Sequence, residues 1–165
     1  MPWYVKASQS HLFSTSTQAV TDCETLGNFI NAHHFSEGGY DRIATKLFTT
    51  LNVSTYYLEY DTPRAGSFEP LKELPPHKNL ILGIVSTKLH DVEDKEEIKK
   101  KVLDAAETMA KGKFESREAA LKNLGISPQC GFSTHVEGYP LSHEEMRVKM
   151  GVIRKACDEL WPGEV

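Results

Sequence analysis

The chain has 165 residues, of which 39% are hydrophobic and 25% charged, and it carries a formal net charge of -4. That is length enough for one ordinary domain with a real core, and the charge balance speaks against both a nucleic-acid footprint and a disordered acidic tail. No run reaches the roughly 18 apolar residues of a membrane span, so no membrane partner is expected either. The cysteines, Cys23, Cys130 and Cys157, are odd in number and irregularly spaced. They make no disulfide framework and point to a reducing compartment, the cytoplasm. The first twenty residues hold one Lys, no Arg and no continuous apolar stretch, so no signal or transit peptide is expected.

After a polar beginning, Tyr40, Ile43, Ala44, Leu47, Phe48 and Leu51 recur at helical spacing and predict a helix with one apolar stripe. Val53 to Tyr60 is β-branched and aromatic, a strand whose near-continuous apolar character suits burial on both faces. A long loop rich in Pro and Gly separates it from a second strand, Leu80 to Val85. Asp94 with Glu96 and Glu97 signals the start of the next helix, whose buried side is Ile98, Val102, Ala105, Ala106 and Met109. A short helix over 116–123 follows, with Gly125 as the break before a third strand, Ile126 to Pro128. In the last helix Ser142 and Glu145 form a capping box, and Met146, Met150, Ile153, Cys157 and Leu160 share one stripe. Helical crossovers between buried strands predict a parallel α/β sheet with right-handed connections. A complete eight-stranded barrel takes about 250 residues, so a barrel reading makes this chain only the final portion of one.

In such barrels the reacting groups sit at the carboxyl ends of the strands. Three strand ends here carry polar residues: Glu59-Tyr60-Asp61, Ser86-Thr87-Lys88 and Gln129-Cys130-Gly131. A carboxylate and a thiol converging on one face are oxygen and sulfur donors of the kind zinc accepts. Glu59 also suits a salt bridge or a cap, and Cys130 divides evenly between ligand and filler. Cys157 lies on the apolar stripe of the last helix and reads as a small core residue. His33, His34 and His135 sit in polar segments and suit the surface better than a metal. Lys88 and Arg64 suit an anionic substrate group as well as the neighbouring carboxylates.

From Gly27 onward, about five sixths of its length, the chain resembles the C-terminal catalytic barrel of the cobalamin-independent methionine synthase family. The resemblance rests on Gly27-Asn28-Phe29, on His34-Phe35-Ser36-Glu37-Gly38-Gly39-Tyr40, and on Tyr57-Leu58-Glu59-Tyr60-Asp61 followed by Arg64-Ala65-Gly66. It continues through Ser127-Pro128-Gln129-Cys130-Gly131-Phe132 and Glu137-Gly138. It implies residues 27–165 as a partial catalytic domain of the methionine synthase and uroporphyrinogen decarboxylase-like (β/α)8 type, with 1–26 unassigned. It further implies zinc as cofactor and methyl transfer from a methylated tetrahydropteroyl polyglutamate to homocysteine. The family surrounds its metal with a His, two Cys and a Glu, of which Glu59 and Cys130 match two. Lys88 stands near a position held by a catalytic His in the full-length synthases, and Asp61 and Arg64 are implied to face substrate. The His-x-Cys pair that the family places before Gly-Asn has no counterpart before Gly27.

Two functional expectations therefore stand side by side. One is a zinc-dependent methyltransferase with little or no activity as this isolated chain. The other is a non-catalytic barrel fragment acting as an interaction module. Related barrels that decarboxylate uroporphyrinogen fit less well, because they have no use for a thiol at that strand end. A partial barrel also exposes strand edges, which predicts self-association.

Overall fold

A computed structural model of the chain describes residues 5–6, of which the backbone alone is considered, together with 39–132 and 141–163. Cys23, the Gly27-Asn28 pair, His33, His34, His135 and Glu137-Gly138 lie outside the described residues, as does the expected boundary at residue 26. The elements in chain order are β1 (Val5–Lys6), α1 (Ala44–Thr50), β2 (Thr55–Glu59), β3 (Asn79–Val85), α2 (Lys95–Ala110), α3 (Arg117–Lys122), β4 (Leu124–Pro128) and α4 (His143–Leu160), with short 3-10 turns at Tyr40–Arg42, Pro63–Ala65 and Glu69–Glu73.

The expected parallel sheet is present. β2 pairs with β3 from Thr55 opposite Asn79 to Glu59 opposite Gly83, and β3 pairs with β4 from Leu80 opposite Leu124, both in parallel. β1 adds an antiparallel strand on the far side of β4, giving the order β1-β4-β3-β2. The polar N-terminal sequence carries no alternation that would announce it. From Leu80 to Val85 every residue of β3 is buried, as befits the central one of three parallel strands. α2 and α4 pack against each other and against β3 and β4. Their contribution to the core is Ile98, Val102, Ala105, Ala106, Met109, Ile153, Ala156 and Cys157. Each large apolar side chain so buried stabilises by about 1.5–3 kcal/mol.

The caps follow the sequence closely. Asp94 accepts from the backbone of Glu96 and Glu97, Ser116 accepts from Ala119, and Ser142 and Glu145 form the reciprocal capping box. Three expectations need correction. The first helix starts only at Ala44, after a 3-10 turn, and leaves Ile43 and Leu51 at 42% and 39% exposed, because seven residues cannot present so long a stripe to one neighbour. Gly125 does not break the chain; it lies inside β4, opposite Ile81 and Lys6. In α4 the buried face is turned toward Lys149, which is fully buried, while Met146 and Met150 are only half-buried.

Candidate functional site at the carboxyl ends of the parallel strands

β2, β3 and β4 end side by side, so the residues after them share one edge of the sheet. Near that edge the register between β3 and β4 slips: Gly83 faces Ser127, but Val85 faces Pro128. This irregularity re-aims the following residues, and the amide of Gln129 then donates to the carbonyl of Val85 at 2.7 Å. Gly83 is required by the close approach, since a Cβ there would stand 3.0 Å from Cα of Gln129 and 3.3 Å from the carbonyl oxygen of Leu58.

Glu59 is buried at the end of β2, and its amide donates to the hydroxyl of Tyr40 at 3.2 Å. Its Oε1 accepts from Nε2 of Gln129 at 3.2 Å, and Oε1 of Gln129 accepts from the hydroxyl of Thr87 at 2.9 Å. Gln129 and Thr87 are buried too. The three strand ends are thus joined by one run of side-chain hydrogen bonds, and Glu59 is held by the residue immediately before the half-buried Cys130.

A second set surrounds Asp61. Its carboxyl is bonded to the Ser86 hydroxyl and lies near the Lys88 ammonium; burial nevertheless dominates and holds its pKa above the ordinary carboxylate value. The backbone N–H of Ser86 donates to Oε1 of Glu93 at 2.7 Å, and Oε2 of Glu93 accepts from Nζ of Lys149 at 2.9 Å. Lys149 also donates to the carbonyl of Asp91. A lysine this deep is tolerable only with such partners, and it ties the segment from Ser86 to Glu93 to α4. Arg64 sits half-buried in the 3-10 turn after β2, which Gly66, at φ 78°, closes against Gly39. Tyr60 stacks at tilted angles on Tyr40 and Phe68, and burial raises the pKa of its phenol well above the usual value.

The sequence-predicted residues therefore fall into two sets: Glu59 with the Cys130 loop, and Asp61 with Ser86 and Lys88. Gln129 and Thr87 organise the first, and Glu93 and Lys149 the second. Strand-end position was the available signal for Gln129 and Thr87. Cys157 is buried as expected, and its surroundings push its thiol pKa up to about 12. For zinc, Glu59 and Cys130 are donors of fitting chemistry, and a buried amide on the carboxylate is the kind of support a metal ligand receives. They are two donors; no group of three or more His, Cys, Asp or Glu that could hold a metal occurs among the described residues.

No protein-family model matches the chain. It is 34% identical over 136 residues to the uncharacterized protein YxjG of Bacillus subtilis and 32% identical over 136 residues to YxjH of the same organism, in each case across 82% of this chain. It spans only about a third of the length of these relatives. Among solved structures it is similar to a B12-independent methionine synthase from a Shewanella species, bound to selenomethionine, with a TM-score of 0.52 and 21% identity over 73% of this chain and 30% of that one. A structure from Listeria monocytogenes, provisionally assigned as a vitamin-B12-independent methionine synthase, matches with a TM-score of 0.52 and 26% identity over 94% of this chain and 44% of that one. The mixed α/β fold with its parallel three-stranded core is thus similar to part of methionine synthase structures of the B12-independent type.

Proposed function

We propose that the chain is the C-terminal portion of a (β/α)8 barrel of the methionine synthase type, and that its strand ends form part of a site for methyl transfer to a thiol. Homocysteine is the acceptor in this reading, a methylated tetrahydropteroyl polyglutamate the donor, and zinc the cofactor. The observation that carries it is the pairing of Glu59 with the Cys130 loop through Gln129 at the carboxyl ends of parallel strands. The likeness to solved B12-independent methionine synthases supports it.

Glu59 and Cys130 would hold the metal. Zinc, when bound, supplies a Lewis acid that lowers the pKa of a coordinated thiol, so that a thiolate is available at neutral pH. Glu59 arrives at that task already oriented by Gln129. Asp61, steadied by the Ser86 hydroxyl, offers a carboxylate to the ammonium group of an amino-acid acceptor, while Lys88 and Arg64 bring positive charge to the same edge for an anionic group. The Glu93 and Lys149 pair keeps the Ser86 segment in place during binding.

The test is methionine formation from homocysteine and the methylated pteroyl polyglutamate. A slow rate that falls on chelation, returns with zinc and is lost in Glu59→Gln supports the proposal. A rate indifferent to chelation, or unchanged in Glu59→Gln, contradicts it. The absence of a His-x-Cys sequence before Gly27 favours a second reading, a non-catalytic barrel fragment. Zinc binding with no methionine formed supports that one.

A further inference from the structure

We infer that the loop over 86–93, between β3 and α2, is a pH-sensitive strap: Lys149 fixes its neck to α4, and a pair between His90 and Glu145 holds its tip, tightest in acid and looser as pH rises. The strap carries Ser86, Thr87 and Lys88 onto the strand-end edge, and the device needs no bound ligand. Apolar burial does not hold the tip, since Leu89 and Val92 are 51% and 45% exposed. Polar bonds to α4 do. At the neck the Ser86 amide donates to Oε1 of Glu93 at 2.7 Å, which closes the loop on itself, and Lys149 donates to Oε2 of Glu93 at 2.9 Å and to the carbonyl of Asp91. At the tip Nδ1 of His90 lies 2.7 Å from Oε1 of Glu145.

Most exposed ion pairs contribute little, because two long side chains must be ordered to form them. Glu145 is ordered beforehand by the cap of α4: its Oε2 accepts from the amide and from the hydroxyl of Ser142, both at 2.7 Å, which leaves Oε1 for the loop. The bonds to His90 and Ser142 hold the pKa of Glu145 down at about 2, so it is a carboxylate throughout the range in which imidazole changes charge, about pH 5–8. An imidazolium gives it a charge-assisted bond; a neutral imidazole gives at most an ordinary one, about half as strong. The other charged groups where loop and helix meet are engaged elsewhere: Glu144 with Arg147, Glu93 with Lys149, and Lys88 beside Asp61. Asp91, next to His90 in sequence, carries the same sign as Glu145. His143 is exposed on the first turn of α4, and substitution at position 90 separates its titration from that of the strap.

Trypsin cleavage of the full chain after Lys88, followed by mass spectrometry, reads the tip, because cleavage tracks the population of the opened loop. The rate is compared with those of His90→Gln and of Glu145→Gln, which keeps the capping box, at about pH 5.5 and about pH 8.5. At the lower pH both variants are expected to be cut about 1.5–5-fold faster than the unaltered chain; at the higher pH the three rates converge. Hydrogen exchange of the Ser86 amide reads the neck, and is expected to be unchanged in His90→Gln and faster in Lys149→Met. Should Lys149→Met fail to fold, the Ser86 amide in the other two variants carries that comparison. Equal rate ratios at the two pH values overturn the strap, and faster exchange at Ser86 in His90→Gln overturns its division into neck and tip. None of these outcomes bears on the methyl-transfer reading.

Discussion

The two ends of the same parallel sheet bury polar groups in different ways. At the amino end, Nζ of Lys78 donates to the carbonyl of Leu51 at 2.6 Å and to the Tyr56 hydroxyl at 3.1 Å, and the Tyr56 hydroxyl donates to the carbonyl of Leu47 at 2.9 Å. Asn123 donates to the carbonyls of Pro76 and Lys78 at 3.0 and 2.9 Å, and Asn79 to that of Ser54 at 3.3 Å. All but one of these bonds end on a backbone carbonyl of a loop or a helix end that would otherwise need water. At the carboxyl end the bonds run between side chains, Thr87 to Gln129 to Glu59, and they converge on a carboxylate and the loop of a thiol. The amino end closes the fold; the carboxyl end gathers polar side chains around one buried carboxylate.

Substitutions at each end should separate stability from metal binding. The largest stability loss is expected where the carboxyl-end loop is rooted in the core. Lys149→Met leaves the Glu93 carboxylate and the Asp91 carbonyl without their buried cation, and the urea midpoint should report a loss of about 3 kcal/mol. Lys78→Met at the amino end should cost about 1–3 kcal/mol through the carbonyl and hydroxyl it abandons, with no change in zinc affinity. A drop in zinc affinity in Lys78→Met would erase the distinction between the ends. The two described cysteines give a smaller contrast. Cys157, buried with its pKa up to about 12, should resist iodoacetamide at neutral pH while the half-buried Cys130 reacts, as peptide mapping would reveal. Equal labelling of both would contradict the burial difference.

The smallest effect lies on the surface between α2 and α4. Hydrogen bonds from Lys95 and Lys99 hold the pKa of Glu159 down at about 2 against an ordinary 4.5. A folded-state pKa below the unfolded one means that Glu159 stabilises above pH of about 4.5 and loses that contribution as pH falls toward about 2. Glu159→Gln should therefore flatten the acid limb of the stability profile slightly, and an unchanged limb would mean that the exposed pair contributes nothing.

Much of this was legible in the sequence, for identifiable reasons. Helix starts were announced by Asp94, Ser116 and Ser142, whose side chains can satisfy orphan amides only at such places. Glu59 and Cys130 stood out because a polar residue directly after an apolar strand lies at an edge of the sheet. The remainder depends on contacts remote in the chain. Nothing in the sequence around Lys149 marks it as buried, because its partner Glu93 is 56 residues away. Gln129 gains its role from Thr87, 42 residues away, and Glu59, 70 residues away. Gly125 read as a breaker because Gly weakens strands in general, yet here β3 and β1 hold its backbone on both sides.

In the proposed reading the carboxyl end of the sheet, and not the amino end, holds a metal through Glu59 and Cys130. Zinc content of the purified chain, measured by elemental analysis beside Cys130→Ala and Lys78→Met, tests it most directly. Zinc is expected in the unaltered chain and in Lys78→Met and is expected to be lost in Cys130→Ala; equal zinc in all three would contradict that reading.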